Sequence, residues 1–200
     1  MRTRIKFAAV TLIGLLPAMV AFTGPTSGLK LEPRSRLWID GTSTVRSFRC
    51  KANTMEAQVE ATGPGAIQAV MAGERAVRSV ALTVQTAQLD CGNGTMNGHM
   101  MKALKASEHP TIEFALTSYE TARADAGVKG KVTGQLTLGG VTKTITMEGG
   151  ARDAGDGALL VSGTHTLKMT EFGLKPPTLM MGTMKVNENV SVGFELYLKD

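Results

Sequence analysis

Aromatic side chains are scarce in this 200-residue chain, which carries one Trp, two Tyr and six Phe. Lys and Arg are scattered beyond the first residues. A nucleic-acid footprint needs clustered cations, so nucleic acid is discounted as a partner. Histidine is limited to His99, His109 and His165 and cysteine to Cys50 and Cys91. Their long spacings match no metal-ligand motif, so no metal is expected. Strand-like runs do not alternate with helical ones, which argues against a parallel sheet. Cys91-Gly92-Asn93-Gly94 has glycines but neither a dinucleotide-binding pattern nor a following βα unit. No G-x-S-x-G elbow is present, the carboxylates are dispersed, and no nucleophile–base pair can be named. The chain is therefore not read as an enzyme, and no cofactor is expected.

The start of the chain has the layout of an export signal. Arg2, Arg4 and Lys6 precede an apolar run from Phe7 to Phe22, followed by Pro25, Ser27 and Gly28. Basic, apolar and small residues in that order describe a secretory signal peptide. The run is short for a membrane span and Pro17 interrupts it. Residues 1–28 are assigned to the signal, with the cut between Ala21 and Gly28. Residues 29–36 form a loose lead-in, and 37–200 form the domain. The whole chain has 22 basic and 17 acidic residues. Without the three N-terminal cations the balance is 19 against 17, so most of the basic character belongs to targeting. In an exported chain an even cysteine count fits a disulfide between Cys50 and Cys91. A buried thiol pair and half a metal site are the other readings.

From Leu37 onward the pattern has period two. Val80, Leu82 and Val84 share a face, as do Ile112, Phe114 and Leu116, and so do Val190, Val192, Phe194, Leu196 and Leu198. Gly139-Gly140 is a hairpin signal between two such runs. About eight or nine strands joined by short turns form an antiparallel sandwich or close into a barrel. Gly130, Gly134, Gly149 and Gly163 suit strongly bent strands, or equally mark turns. One helix is expected, Gly98 to Ser107, with Met100, Met101 and Leu104 on its apolar face and Pro110 stopping it. An apolar helix beside an all-β sheet suggests a lid or plug.

Several segments taken together resemble the YceI-like family. His109-Pro110-Thr111-Ile112-Glu113-Phe114 resembles its P-x-I-x-F segment. Gly134 to Lys143 resembles its G-x-L-T-hydrophobic-x-G-V-T-K hairpin, and Glu171-Phe172-Gly173 its D-F-G segment. Trp38 to Val45 and Val190 to Leu198 are similar to its first and last strands, so the resemblance spans about residues 37–199. Lys168 and Met169 stand where many members have Asn-Arg, and the cysteine pair is not general to the family. The resemblance implies an all-β fold, an antiparallel lipocalin-like β-barrel of about eight strands with one short helix near the mouth. It also implies a periplasmic protein that binds a polyisoprenoid or other long-chain amphipathic lipid in an apolar interior. Self-association into a homodimer is left open.

Such a ligand needs an apolar wall with a few polar groups near the entrance. Met96, Met100, Met101, Met147, Met169, Met180, Met181 and Met184 supply adaptable apolar surface, which suits either a flexible chain or an ordinary core. Phe48, Leu104, Ile112, Phe114, Leu116, Val132, Ile145 and Phe172 are the other candidate wall or lid residues. Lys102, Lys105 and Lys175 are candidates for a polar head at the mouth or for plain surface charge. His109 and His165 read as hydrogen-bonded structural histidines ahead of the alternative that either acts as a base. The competing functional reading is an envelope structural or interaction protein with a filled barrel.

Overall fold

The computed structural model describes residues 28–179 and 182–200. Its strands are β1 (Gly28–Leu31), β2 (Arg36–Thr42), β3 (Ser47–Ala52), β4 (Glu56–Ala61), β5 (Val77–Gln85), β6 (Leu89–Asp90), β7 (Thr111–Ala124), β8 (Gly127–Leu138), β9 (Val141–Asp153), β10 (Leu159–Lys168), β11 (Thr178–Leu179), β12 (Met184–Lys185) and β13 (Asn189–Lys199). The order β1-β4-β5-β7-β8-β9-β10-β13 closes on itself through an antiparallel β1–β13 pairing, making an eight-stranded barrel. The expected barrel is the observed one. β2, β3 and β6 continue β1, β4 and β5 beyond short breaks, because β2 also pairs with β13, β3 with β2, and β6 with β3.

The three breaks lie side by side in register and remain stitched by hydrogen bonds. Tyr197 donates its amide to Ser35 Oγ at 3.0 Å, and Asn53 donates its amide to the Gln88 carbonyl at 2.8 Å. Buried Thr86 donates both its amide and its hydroxyl to the Pro110 carbonyl, each at 2.8 Å. Leu29, expected in a loose lead-in, is 3% exposed, and its strand β1 closes the barrel. A four-residue strand carries too little periodicity to be read from sequence.

Two apolar clusters occupy the barrel interior. The lower one contains Leu29, Val59, Leu159 and Leu198, closed by Ala66, Ile67 and Val70 of helix α1 (Ala66–Met71). This second helix was not expected, because six residues between Gly65 and Gly73 show little 3.6-residue pattern. The upper cluster contains Val84, Leu136, Leu167, Phe172 and Leu174. Helix α2 (Gly94–Ala103) bridges β6 and β7 at that end. It starts and stops four residues earlier than expected. The Asn93 carboxamide oxygen accepts from Met96 N at 3.1 Å and caps its start. Lys105, at φ 54°, leaves the helical region and ends it before Pro110 is reached.

Between β8 and β9 the chain reverses on Gly139 and Gly140, both at positive φ (56° and 81°), as a two-residue hairpin requires. Gly130, Gly149 and Gly163, by contrast, lie within strands and face one another across β8, β9 and β10. A side chain on Gly149 would approach the Ser162 carbonyl to 2.9 Å, and one on Gly163 the Glu148 carbonyl to 2.8 Å. These glycines are therefore strand residues at close backbone approaches, not turn residues.

Candidate functional site: a lidded apolar cavity

The upper half of the barrel encloses a cavity of about 440 Å³. Inward residues of β2, β5, β7, β8, β9, β10 and β13 form its wall, and α2 lies over its mouth. Strand periodicity explains the wall: Leu37 and Ile39, Ile112 and Phe114, Ile145 and Met147, and Val190, Val192, Phe194 and Leu196 are each spaced by two and line it together. Aromatic rings enter where a glycine makes room. Phe48 lies over Gly41, Phe114 over Gly134 and Phe194 over Gly163, and all three rings border the cavity.

Of the residues singled out from sequence, Phe48, Met100, Leu104, Ile112, Phe114, Ile145, Met147 and Met169 line the cavity, as do Met96 and Met184. Met101, Leu116, Val132 and Phe172 do not. On α2 the inward face is Met96, His99, Met100, Ala103 and Leu104, spaced by three and four, and Met101 is turned about 100° from Met100. Leu116 pairs with Gly134 just before a bulge and Val132 with Tyr119 just beyond it. Phe172, at 1% exposure, is solid core in the 3-10 turn Met169–Phe172. Met180 and Met181 lie outside the described residues.

The segment entering α2 is held by several bonds. Cys50 and Cys91 form a disulfide that ties it to β3. The Asp90 carboxylate accepts from Asn97 Nδ2 at 2.8 Å and from Gly92 N at 2.9 Å, and Asn97 Oδ1 accepts from Cys91 N at 2.8 Å. These bonds, that from Asn97 first, hold the Asp90 carboxyl below its ordinary pKa. The lid is therefore anchored at its N-terminal end.

Polar groups occupy two zones. Ser43 and Arg46 of the β2–β3 turn and Asn93 and Thr95 at the start of α2 border the mouth, His99 borders the cavity from the inward face of α2, and among the described residues no Asp or Glu borders it. Lys102, Lys105 and Lys175 do not border it either. Inside, His165 lies opposite Val192, two residues from Leu167 and four from Met169 along one face of the strand run. Its ring has no hydrogen-bond partner among the described residues, so it is not the satisfied structural histidine expected from sequence. Its place on that face was legible; its missing partner was not.

Burial pushes the His165 imidazolium toward proton loss, lowering its pKa below 6.5. The unfolded chain then takes up a proton on acidification before the folded chain does. This group's contribution to stability is intact above about pH 6.5, declines as pH falls below that value, and stops changing below the folded pKa. Urea midpoints at pH 7.5 and pH 5.5 should therefore differ more in the wild type than in His165→Leu. Equal differences in the two proteins would contradict the assignment.

A closed antiparallel barrel with an apolar cavity under a helical lid is the architecture of a small-molecule binding protein of lipocalin type. The YceI-like domain model matches residues 38–198, and the chain belongs to that family. It is 32% identical over 103 residues to a UPF0312 protein of Pseudomonas aeruginosa (strain LESB58), covering 48% of this chain and about half (52%) of the relative's length. Burkholderia cenocepacia BcnA has a similar structure, with TM-score 0.66 at 21% identity over 84% of this chain and 99% of that one. A polyisoprenoid binding domain from Saccharophagus degradans, implicated in plant cell wall breakdown, superposes with TM-score 0.61 at 13% identity, covering 86% and 97% of the two chains. At these identities the solved structures establish the fold.

Proposed function

We propose that this chain is an exported, periplasmic binding protein that sequesters or carries an isoprenoid or similar amphipathic lipid inside the barrel, without catalysing a reaction. The observation that carries the reading is the cavity itself: about 440 Å³, walled by aliphatic, Met and Phe side chains and covered by α2. That volume lies within the range of small-molecule sites. Burying a flexible chain there contributes about 0.8 kcal/mol per CH₂. Membership of a family with a polyisoprenoid-binding structural neighbour supports the same ligand class. The basic and apolar N-terminus and the Cys50–Cys91 bridge are consistent with an oxidising compartment.

Native mass spectrometry of protein gently isolated from its own host tests the reading. A bound lipid released by organic extraction is expected. Repeated recovery of ligand-free protein that also takes up no added lipid would favour a structural or interaction role instead.

The lid makes a sharper prediction. Met100→Gln places an amide on the cavity side of α2, whereas Met101→Gln places one outside the cavity lining. Burying an unpaired amide costs about 1–3 kcal/mol. Met100→Gln should therefore weaken lipid retention by roughly tenfold, and Met101→Gln should leave it unchanged. Equal effects in a lipid-transfer assay would mean that this helix face does not cover the ligand.

A further inference from the structure

The interior of the barrel points to what kind of head group the ligand carries and where it sits. This inference rests on the lipid-binding reading above. His165 lies three residues below the upper end of β10, roughly 10 Å down the strand from Lys168. The cavity-lining residues around it on the adjoining strands are Ile145, Met147, Val192 and Phe194, none of which offers a side-chain hydrogen bond. Below it the cavity continues along Phe194 and Leu196. A polar ring without a partner in an apolar wall loses hydrogen bonds it had in water, and such a group in a native fold calls for a partner that the chain itself does not supply.

A lipid inserted tail first, with its head at the rim, would set bare hydrocarbon against this ring and leave the ring unsatisfied. A head seated at His165, with the tail running back under α2, satisfies it. Neutral imidazole offers one N–H donor and one nitrogen acceptor, which match a hydroxyl or carbonyl. Arg46, in the turn between β2 and β3, is the one Lys, Arg, Asp or Glu among the described residues that line the cavity, so beside His165 none of these compensates a phosphate. We propose that His165 is the interior anchor for an uncharged, hydrogen-bonding head group, such as an alcohol, phenol or ring carbonyl, on a chain that enters the barrel head first.

The test uses mature protein, freed of bound lipid, and three fifteen-carbon probes: farnesol, farnesene and farnesyl phosphate. Each is titrated against a fluorescent apolar reporter held in the cavity. Wild-type protein should bind farnesol roughly fivefold or more tighter than farnesene, the size of one neutral hydrogen bond, and tighter than farnesyl phosphate. His165→Leu should bring farnesol and farnesene to equal affinity without weakening farnesene, and His165→Gln should keep part of the preference. Circular dichroism melting checks that both variants are folded. If His165→Leu keeps the wild-type farnesol-to-farnesene ratio, or if farnesyl phosphate binds most tightly to the wild type, the anchor is overturned while lipid binding stands. If none of the probes displaces the reporter, the lipid-binding reading falls and the anchor with it.

Discussion

Gly130→Val should leave the protein unable to fold stably, with a loss of roughly 4 kcal/mol or more. The reason lies in the backbone. Gly130 pairs with Thr121 across β7 and β8, and a Cβ built on it would run into the Glu120 carbonyl oxygen. That carbonyl belongs to the strand next door and cannot turn away without disturbing the ladder. Gly149 and Gly163 continue the same line across β9 and β10, so three neighbouring strands approach one another where side chains would otherwise stand. The absence of a side chain on Gly163 also makes room for the Phe194 ring at the cavity wall. Gly98→Ala serves as the contrast. Gly98 lies inside α2 with nothing within 4 Å of an added Cβ, and the substitution should stabilise by about 0.5–1 kcal/mol. Urea denaturation reads both values, and similar effects from the two substitutions would mean that the glycine line is not a packing requirement.

The same contrast shows what was legible in the chain. Period two identifies shared faces, so Ile112 with Phe114, Ile145 with Met147, and Val190 through Leu196 could be grouped correctly before any coordinates. It says nothing about depth. Leu116 continues the Ile112–Phe114 alternation yet stands outside the cavity lining, beside the bulge between Leu116 and Ser118. The lid helix was found but misaligned. Taking its start from Gly98 rather than from the cap at Asn93 brought Met101 into the inner face, and it obscured the spacing of Met96, Met100 and Leu104. Phe172 lies in a single 3-10 turn with no periodicity of its own, so core and wall could not be separated there. β1 and the breaks in the first three strands are set by pairing with partners far away in the chain, chiefly β13, which local pattern does not reveal.

Replacing both Cys50 and Cys91 with Ala should lower stability by about 4 kcal/mol and the melting temperature by roughly 10 °C. The bridge joins residues 41 apart, and closing a loop of that length removes conformational freedom chiefly from the unfolded chain. The loss should therefore appear mostly as slower refolding in stopped-flow measurements, wherever the loop closes before the folding barrier. A second consequence belongs to the folded state. Cys50 is 2% exposed on the cavity wall, and Cys91 leads directly into the capped start of α2. Without the bridge the entrance of the lid is held by the β3–β6 pairing and by the Asp90–Asn97–Cys91 hydrogen bonds, and these bonds are part-exposed. Lipid release should accelerate, and adding Asp90→Ala to the double variant should accelerate it further, because it removes an acceptor that holds both Asn97 and Gly92. Reducing the wild-type protein should reproduce the double variant, and so should producing it in a reducing cytosol. An unchanged melting temperature in the double variant would show that the bridge does not form in solution. A lowered melting temperature with unchanged lipid release would confine the bridge to stability and free the lid from it.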